Sequence, residues 1–289
     1  MTGRRLRLTS LRWIALTLIA ALVLAGCSST RLAYRYADWG VVWWVEDYVN
    51  LDRDQKQQLN RDLDALRQWH CSEELPRYSA WLDELEADVA SGPPDVDTIH
   101  YHQQKLMEFV PGLLAEALPI AVNLLQSLSD EQVAELARNM AKDQEELEQE
   151  MLAGNADDMA MARAERTEDR VERWLGDLNT AQQTLVQHWS ANRGQQTAIW
   201  LQGRQNWQQA LLATLEERGQ PGFADSIREL VVNSEQARGP EYQAMMEESQ
   251  QAMTSLMHDL IQAGDRRHRE QLQARANKLN RDFTALTCS

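Results

Sequence analysis

From Asp52 to the C-terminus, apolar residues recur at intervals of three and four, the period of an amphipathic helix. Leu59, Leu63, Leu66 and His70 form one stripe. Leu75, Tyr78, Leu82, Leu85 and Val89 form the next, with Trp81 beside it. Ser91-Gly92-Pro93-Pro94 is a stop, and a new helix is expected near Asp95, bent or broken at Pro111-Gly112 and Pro119. Ser129 opens a long helix through Val133, Leu136, Met140, Leu147 and Met151, which closes at Gly154-Asn155. Further helical runs end at Gly176, at Gly219-Gln220-Pro221-Gly222 and at Gly239-Pro240. No alternating strand pattern competes. The reading is all-α: a multi-helix bundle or elongated helical array of about eight to ten helices joined by short loops.

One pattern repeats. Leu51-Asp52-x-x-Gln55, Leu128-Ser129-x-x-Gln132 and Leu178-Asn179-x-x-Gln182 each carry an apolar residue four positions after the Gln. A buried leucine, a capping residue and a Gln three residues later are what a helix start requires.

The N-terminus follows other rules. Arg4, Arg5, Arg7 and Arg12 precede an apolar stretch from Trp13 to Leu24. That stretch falls short of the roughly 20 residues a spanning helix needs, and reads as the apolar region of a signal peptide. It closes on Leu24-Ala25-Gly26-Cys27. This sequence resembles the bacterial lipobox, in which the peptidase cuts before a cysteine whose thiol has been diacylated. The resemblance implies a diacylglycerol and an N-acyl chain on Cys27, no other cofactor, and, with Ser28 rather than Asp following, the periplasmic face of the outer membrane. The expected organisation is a signal peptide over 1–26, a lipidated tether over 27–35 and a single helical periplasmic domain over 36–289. The one place for a weak subdivision lies near 154–180.

Composition narrows the function. Ten Trp and 43% hydrophobic residues supply a core. The net charge is −15, and removing residues 1–26 takes away four Arg and no acid, which leaves −19. That charge argues against nucleic acid as a partner and against attraction to anionic headgroups, so the lipid is expected to hold the protein at the membrane.

Few residues carry candidate chemistry. With Cys27 acylated, Cys71 and Cys288 remain, and an oxidising compartment favours a disulfide between them; two free thiols are the alternative. Trp39, Trp43 and Trp44 sit at i, i+4 and i+5, either docking into the core or forming an aromatic belt for a membrane or partner. Arg163, Arg166, Arg170 and Arg173 share a helical face among Glu165, Glu168, Asp169 and Glu172, either as ion-pair partners or as a docking strip for an anionic partner. Met245, Met246, Met253 and Met257 form a soft stripe suited to core filling or to varied clients. His100 and His102 lie about 200° apart on a helix and cannot share a metal there. No phosphate loop, nucleophile elbow or His-Glu-x-x-His helix is present.

Several segments recur together: Arg31-Leu32-Ala33-Tyr34, Ala37-Asp38, Trp43-Trp44, Asp47-Tyr48-Val49, Gln55-Lys56, Trp69-His70 and Leu75-Pro76-Arg77-Tyr78. In these the chain resembles an uncharacterised family of Gram-negative lipoproteins known as a domain of unknown function. The resemblance extends through Leu128–Leu136 and Arg163–Gln182 and implies a lipid-anchored helical periplasmic protein without an assigned activity. The Leu-x-x-x-Gln repeats are similar to the Leu-Thr-x-x-Gln motif of small periplasmic stress chaperones, although Thr is absent here. That likeness implies a cradle-shaped helical holdase. The expectation is a non-enzymatic envelope protein that binds an envelope partner, with a membrane-tethered holdase as the alternative.

Overall fold

The computed structural model describes residues 29–286. Leu24, Ala25, Gly26, Cys27 and Cys288 lie outside the described residues. Among the described residues there are fourteen α-helical segments, one π-helical turn and no strand. The segments are α1 (Ser29–Arg35), α2 (Ala37–Tyr48), α3 (Arg53–Trp69), α4 (Leu75–Ser91), α5 (Val96–Glu108), α6 (Val110–Gln126) and α7 (Asp130–Met151). They continue with α8 (Ala156–Leu175), α9 (Thr180–Ala191), α10 (Gln196–Glu216), α11 (Phe223–Val232), α12 (Ser234–Arg238), α13 (Pro240–Gln262) and α14 (Arg266–Thr284). Segments outnumber the expected helices because long apolar runs are interrupted rather than ended.

Two interruptions have a local cause. The π-turn His70–Glu74 joins α3 to α4, with Leu75 N–H donating to His70 O. Pro76 follows immediately and cannot donate to the carbonyl one turn back, so the preceding turn widens. Between α5 and α6 the break falls at Phe109, whose N–H returns to Leu106 O at 3.3 Å, two residues ahead of Pro111. Pro119, expected to bend or break the chain, stays inside α6. The carbonyl it leaves without a donor belongs to Ala115, an exposed residue.

Two cores hold the molecule. The first gathers Val42, Val49, Leu59, Leu63, Leu118, Leu136, Met140, Leu211, Leu215 and Ile227 from α2, α3, α6, α7, α10 and α11. The second gathers Ala164, Leu175, Leu178, Val186, Leu256 and Leu260 from α8, α9 and α13, with Leu272 of α14 against it. The chain enters the second core at α8 and returns to the first along α10, so no single cut separates them. Along α10, Gly203 admits Tyr242 of α13: a Cβ there would stand 2.5 Å from the ring.

Helix N-termini pair across both cores. Asp52, Ser129 and Asn179, the three cap positions of the repeated pattern, are capping boxes whose third residue is Gln55, Gln132 or Gln182. Leu51, Leu128 and Leu178 before them are buried. Gln55 and Gln132 then exchange hydrogen bonds, Nε2 to Oε1 at 2.9 and 2.7 Å. Each also reaches a carbonyl two residues ahead of the other's cap, Gln55 to Ser127 O and Gln132 to Asn50 O, both at 2.8 Å. The second core repeats the device with a further box, Asp265 and His268, at the start of α14. His268 Nε2 lies 3.1 Å from Asp177 O, and Asn179 Nδ2 donates to Ala263 O at 3.0 Å.

Candidate functional site

Helix α2 has two apolar sides. Val42 and Val49 are buried in the first core, with Val45 and Tyr48 packed beside them. Asn139 Nδ2 donates to Tyr48 O at 2.8 Å, and Tyr48 Oη donates to Asp143 at 2.9 Å, which fixes this side on α7. The other side is bare: Trp39 is 67% exposed, Trp43 60% and Trp44 59%. Docking of these tryptophans into the core, one of the two expected readings, is therefore corrected. The valines occupy the inward face, and a helix of this radius cannot turn both faces inward. Leu32 and Tyr36, each 56% exposed, continue the bare face toward the N-terminus. Tyr36 departs from helical backbone angles, with φ −109° and ψ 14°, but hydrogen bonds bridge the junction of α1 and α2: Tyr36 N–H reaches Leu32 O and Gly40 N–H reaches Tyr36 O.

Behind α1, the π-turn gathers aromatic and ionisable groups. Tyr34 Oη lies 3.1 Å from both Arg67 O and His70 Nδ1. The hydroxyl has one proton, so while it donates to the carbonyl it accepts from Nδ1–H. Tyr78 meets His70, Phe109 and Phe283 with ring centroids 5.4, 4.6 and 6.3 Å apart. Burial pushes the Tyr34 and Tyr78 hydroxyls above their ordinary value. Burial also lowers His70, against the opposing pull of Glu74, so the imidazole is neutral near pH 7. Glu74 is itself 2% exposed and is held by Arg77 at 2.5 Å. Cys71 is buried in the same turn and disulfide-bonded, and both other cysteines lie outside the described residues. The cluster is packed rings against a salt bridge, and its chemistry is positional: it fastens α1 and α14 to the α3–α4 helix.

The four arginines of α8 separate. Arg163 turns inward, its guanidinium donating to Ser190 O at 2.9 Å and Thr197 Oγ1 at 3.3 Å. Burial, and after it the Arg166 and Arg193 charges, depress its pKa. It ties α8 to the end of α9 and leaves the proposed strip. Arg166, Arg170 and Arg173 are exposed, and among the described residues none of them makes a salt bridge. Two of the interleaved acids are engaged elsewhere: Glu172 accepts Leu178 N–H at 3.1 Å, and Glu168 is hydrogen-bonded by Gln187. Glu168 is raised by burial and then by Glu172, Asp169 and Glu165.

Other groups fall apart or into place. His102 is buried against Asp88 at 2.9 Å, whereas His100 faces Gln104, so the two have different partners. Met245 is buried, while Met246, Met253 and Met257 reach the surface. On α5, packed along α13, Leu106 and Met107 are also exposed, and Gln103 Nε2 meets Met257 Sδ at 3.3 Å. The stretch Val96–Gln126 is long and apolar enough to cross a membrane by length and composition, and 17% of its apolar window is buried. Its inward residues Leu118, Ile120, Val122, Leu124 and Leu125 pack into the first core. A groove of about 410 Å³ between α3 and α6 is lined by Asp52, Asp54, Gln55, Gln58, Asp62 and Asn123, among others.

Two features escaped sequence reading. The His268 box departs from the pattern in two places, Gly264 for Leu and His for Gln, and only its Asp-x-x-His spacing signalled a cap. The exposed Leu32 and Tyr36 were visible as the same helical face as Trp39 and Trp43, at spacings of four, three and four.

The model of a family of unknown function (DUF6279) matches residues 47–243. The match begins after the tryptophans and ends inside α13, so α14 and the aromatic face lie beyond it. No curated protein and no solved structure matches the chain.

Proposed function

The chain belongs to this family of unknown function, DUF6279, and on that premise we propose that it is an outer-membrane lipoprotein facing the periplasm that binds an envelope protein partner and catalyses nothing. The anchor in this reading is Cys27, cut after Leu24-Ala25-Gly26 and carrying a diacylglycerol and an N-acyl chain. Three chains hold firmly where one is marginal. The observation that carries the binding role is the outer face of α8. Arg166, Arg170 and Arg173 stand at spacings of four and three, exposed and without a carboxylate among the described residues, on a chain of net charge −15. Guanidinium forks that the protein's own acids leave open suit carboxylates of an acidic partner segment.

The body is closed in this reading by a Cys71–Cys288 disulfide. Its support is the antiparallel register of α4 and α14: Asn277 meets Glu86, Asn280 meets Asp83, and Phe283 meets Tyr78. That register brings the last described turn of α14 to the helix that follows the π-turn of Cys71.

The test is an in-cell crosslink and pull-down of the tagged, lipidated protein, with Arg166→Gln/Arg170→Gln/Arg173→Gln beside it. One or two envelope partners in fixed ratio, reduced at least about tenfold in the variant, support the reading. The same partners recovered from both proteins overturn the strip. All three side chains are exposed, so the variant is expected to fold.

The holdase alternative has one observation of its own, the exposed Leu106, Met107, Met246, Met253 and Met257 on α5 and α13. Flexible thioether surfaces repack around varied apolar segments. The Leu-x-x-x-Gln repeats do not add to it, because capping accounts for all three. A broad spectrum of exported proteins in the same pull-down, growing with heat, would favour this alternative.

A further inference from the structure

We propose that the stripe Leu32, Tyr36, Trp39 and Trp43 lies in the headgroup layer of the bilayer that carries the anchor, so that α1 and α2 rest flat on the membrane and orient the body. This rests on the lipoprotein reading and adds a second, non-covalent contact to it.

Four observations converge. The stripe is apolar and uncovered, each residue 56–67% exposed, while the opposite side of the same helix is already committed to the first core. Its members are three aromatics and a leucine at spacings of four, three and four, one continuous helical face, and Trp and Tyr are the side chains that settle at the membrane–water boundary. The stretch differs in charge from the rest of the chain: residues 28–45 hold Arg31 and Arg35 against Asp38 alone. The one acid is turned to its own backbone, its carboxylate accepting Trp39 N–H at 2.8 Å. With Arg31 paired to Asp282 at 3.3 Å, this stretch is close to neutral, which weakens the repulsion between this acidic protein and a bilayer.

Position supplies the rest. α1 begins two residues after Cys27. At the α-helical rise, Trp39 lies about 15 Å and Trp43 about 21 Å along the axis from Ser29. A helix tethered so closely either stands up from the membrane or lies along it. Standing leaves the aromatic face in water. Lying along the surface buries that face to the depth of the headgroups, as amphipathic interfacial helices do. The valine face then points away from the lipid and carries the first core above it.

The experiment uses the lipidated full-length protein, purified in detergent and reconstituted into phosphatidylethanolamine–phosphatidylglycerol vesicles, with or without brominated acyl chains. Bromine quenches only tryptophans within the bilayer. With ten Trp in the chain, of which one is removed with the signal peptide, the wild type is expected to lose roughly a fifth of its emission. Trp39→Gln/Trp43→Gln is expected to lose almost none, with an unchanged far-ultraviolet melt. The wild type alone is informative if the variant fails to fold: equal emission in both vesicles overturns the proposal. So does a wild-type dimer, by sedimentation, that falls to monomer in the variant without any quenching, since a second copy then covers the stripe. Labelled palmitate, incorporated by the wild type and absent from Cys27→Ser, reads the anchor separately. Label with no quenching overturns the stripe and leaves the lipoprotein reading standing. No label on the wild type overturns both.

Discussion

The N-termini of α3 and α7, and those of α9 and α14, meet by one scheme and are finished by different chemistry. In each pair, a side chain at the cap or three residues beyond it crosses to a carbonyl at or near the end of the preceding helix. In the first pair the crossing side chains are Gln55 and Gln132, and they also bond each other. Each amide there uses two donors and two acceptor positions, the full capacity of the group. In the second pair, Gln182 reaches Leu260 O at 2.9 Å and His268 reaches Asp177 O, without bonding each other. An imidazole has only two ring nitrogens: Nδ1 lies 2.8 Å from Asp265 Oδ1 and 3.1 Å from Asp265 N, and Nε2 faces Asp177 O, so nothing remains for Gln182. The pairs also differ in wetness. Gln55 and Asp52 line the 410 Å³ groove, where water can stand in for a lost bond. Gln182 is 0% exposed and His268 2%. The same scaffold is thus a mutual amide exchange at the edge of a groove in one core and an enclosed, one-directional link in the other.

Truncation breaks that comparison hardest. Gln182→Ala leaves Leu260 O and Asn179 N–H without partners in a dry site, with a cavity beside them, and is expected to cost about 3 kcal/mol. Gln55→Ala removes more hydrogen bonds but opens onto the groove, and is expected to cost about 1–2 kcal/mol. Urea unfolding of both variants checks the order. If Gln55→Ala costs more, bond number outweighs burial and the wet–dry distinction fails. A cycle through Gln55→Ala/Gln132→Ala sharpens it, because the second truncation meets an amide already short of its partner and should cost less than the first.

His268 gives the next, smaller effect. His268→Gln restores the residue found third in the other three pairing boxes and is expected to stay within about 0.5 kcal/mol of the wild type, whereas His268→Ala should lose about 2 kcal/mol. The readout is again unfolding in urea. A glutamine that destabilises as much as alanine would mean that ring shape, not the Nε2 donor, holds Asp177.

Much of this arrangement was legible along the chain, and the reasons differ by residue. Helix starts at Asp52, Ser129 and Asn179 were readable because a cap and its reciprocal Gln are local, three residues apart. Which starts would meet was not, since pairing is set by the path of α4 to α6 and of α10 to α13. The π-turn was hidden because His70-Cys71-Ser72-Glu73-Glu74 reads as ordinary helical sequence, and only Pro76 marked the interruption. The α2 face was half legible. With valines at 42, 45 and 49 and aromatics at 36, 39 and 43, both sides are apolar, and periodicity cannot say which is inward. Arg163 matches Arg166, Arg170 and Arg173 in spacing, and only the approach of Ser190 from α9 separates it from them.

Acid should separate the two pairs with the smallest and most local effect. Asp265 is held below its ordinary carboxylate value, first by the His268 side chain and then by the His268 backbone N–H, which donates to it at 3.2 Å. A folded-state value below the unfolded one means the contribution is present above the unfolded value of 3.8 and fades as the pH falls from there through the folded value. In the first pair Gln55 has the Asp52 carboxylate as its cap, but the box around Gln132 is capped by the Ser129 hydroxyl, which does not titrate. Hydrogen exchange compared between pH 6 and pH 3, with intrinsic rates corrected, should therefore show amides around His268 losing protection ahead of those around Gln132. Asp265→Asn keeps an oxygen that can accept from His268 N–H and removes the titration. It should abolish the pH dependence around His268 while leaving the cap in place. If protection around His268 still falls with acid in that variant, the cause lies outside the Asp265–His268 box, and the chemical contrast between the two pairs would not extend to pH.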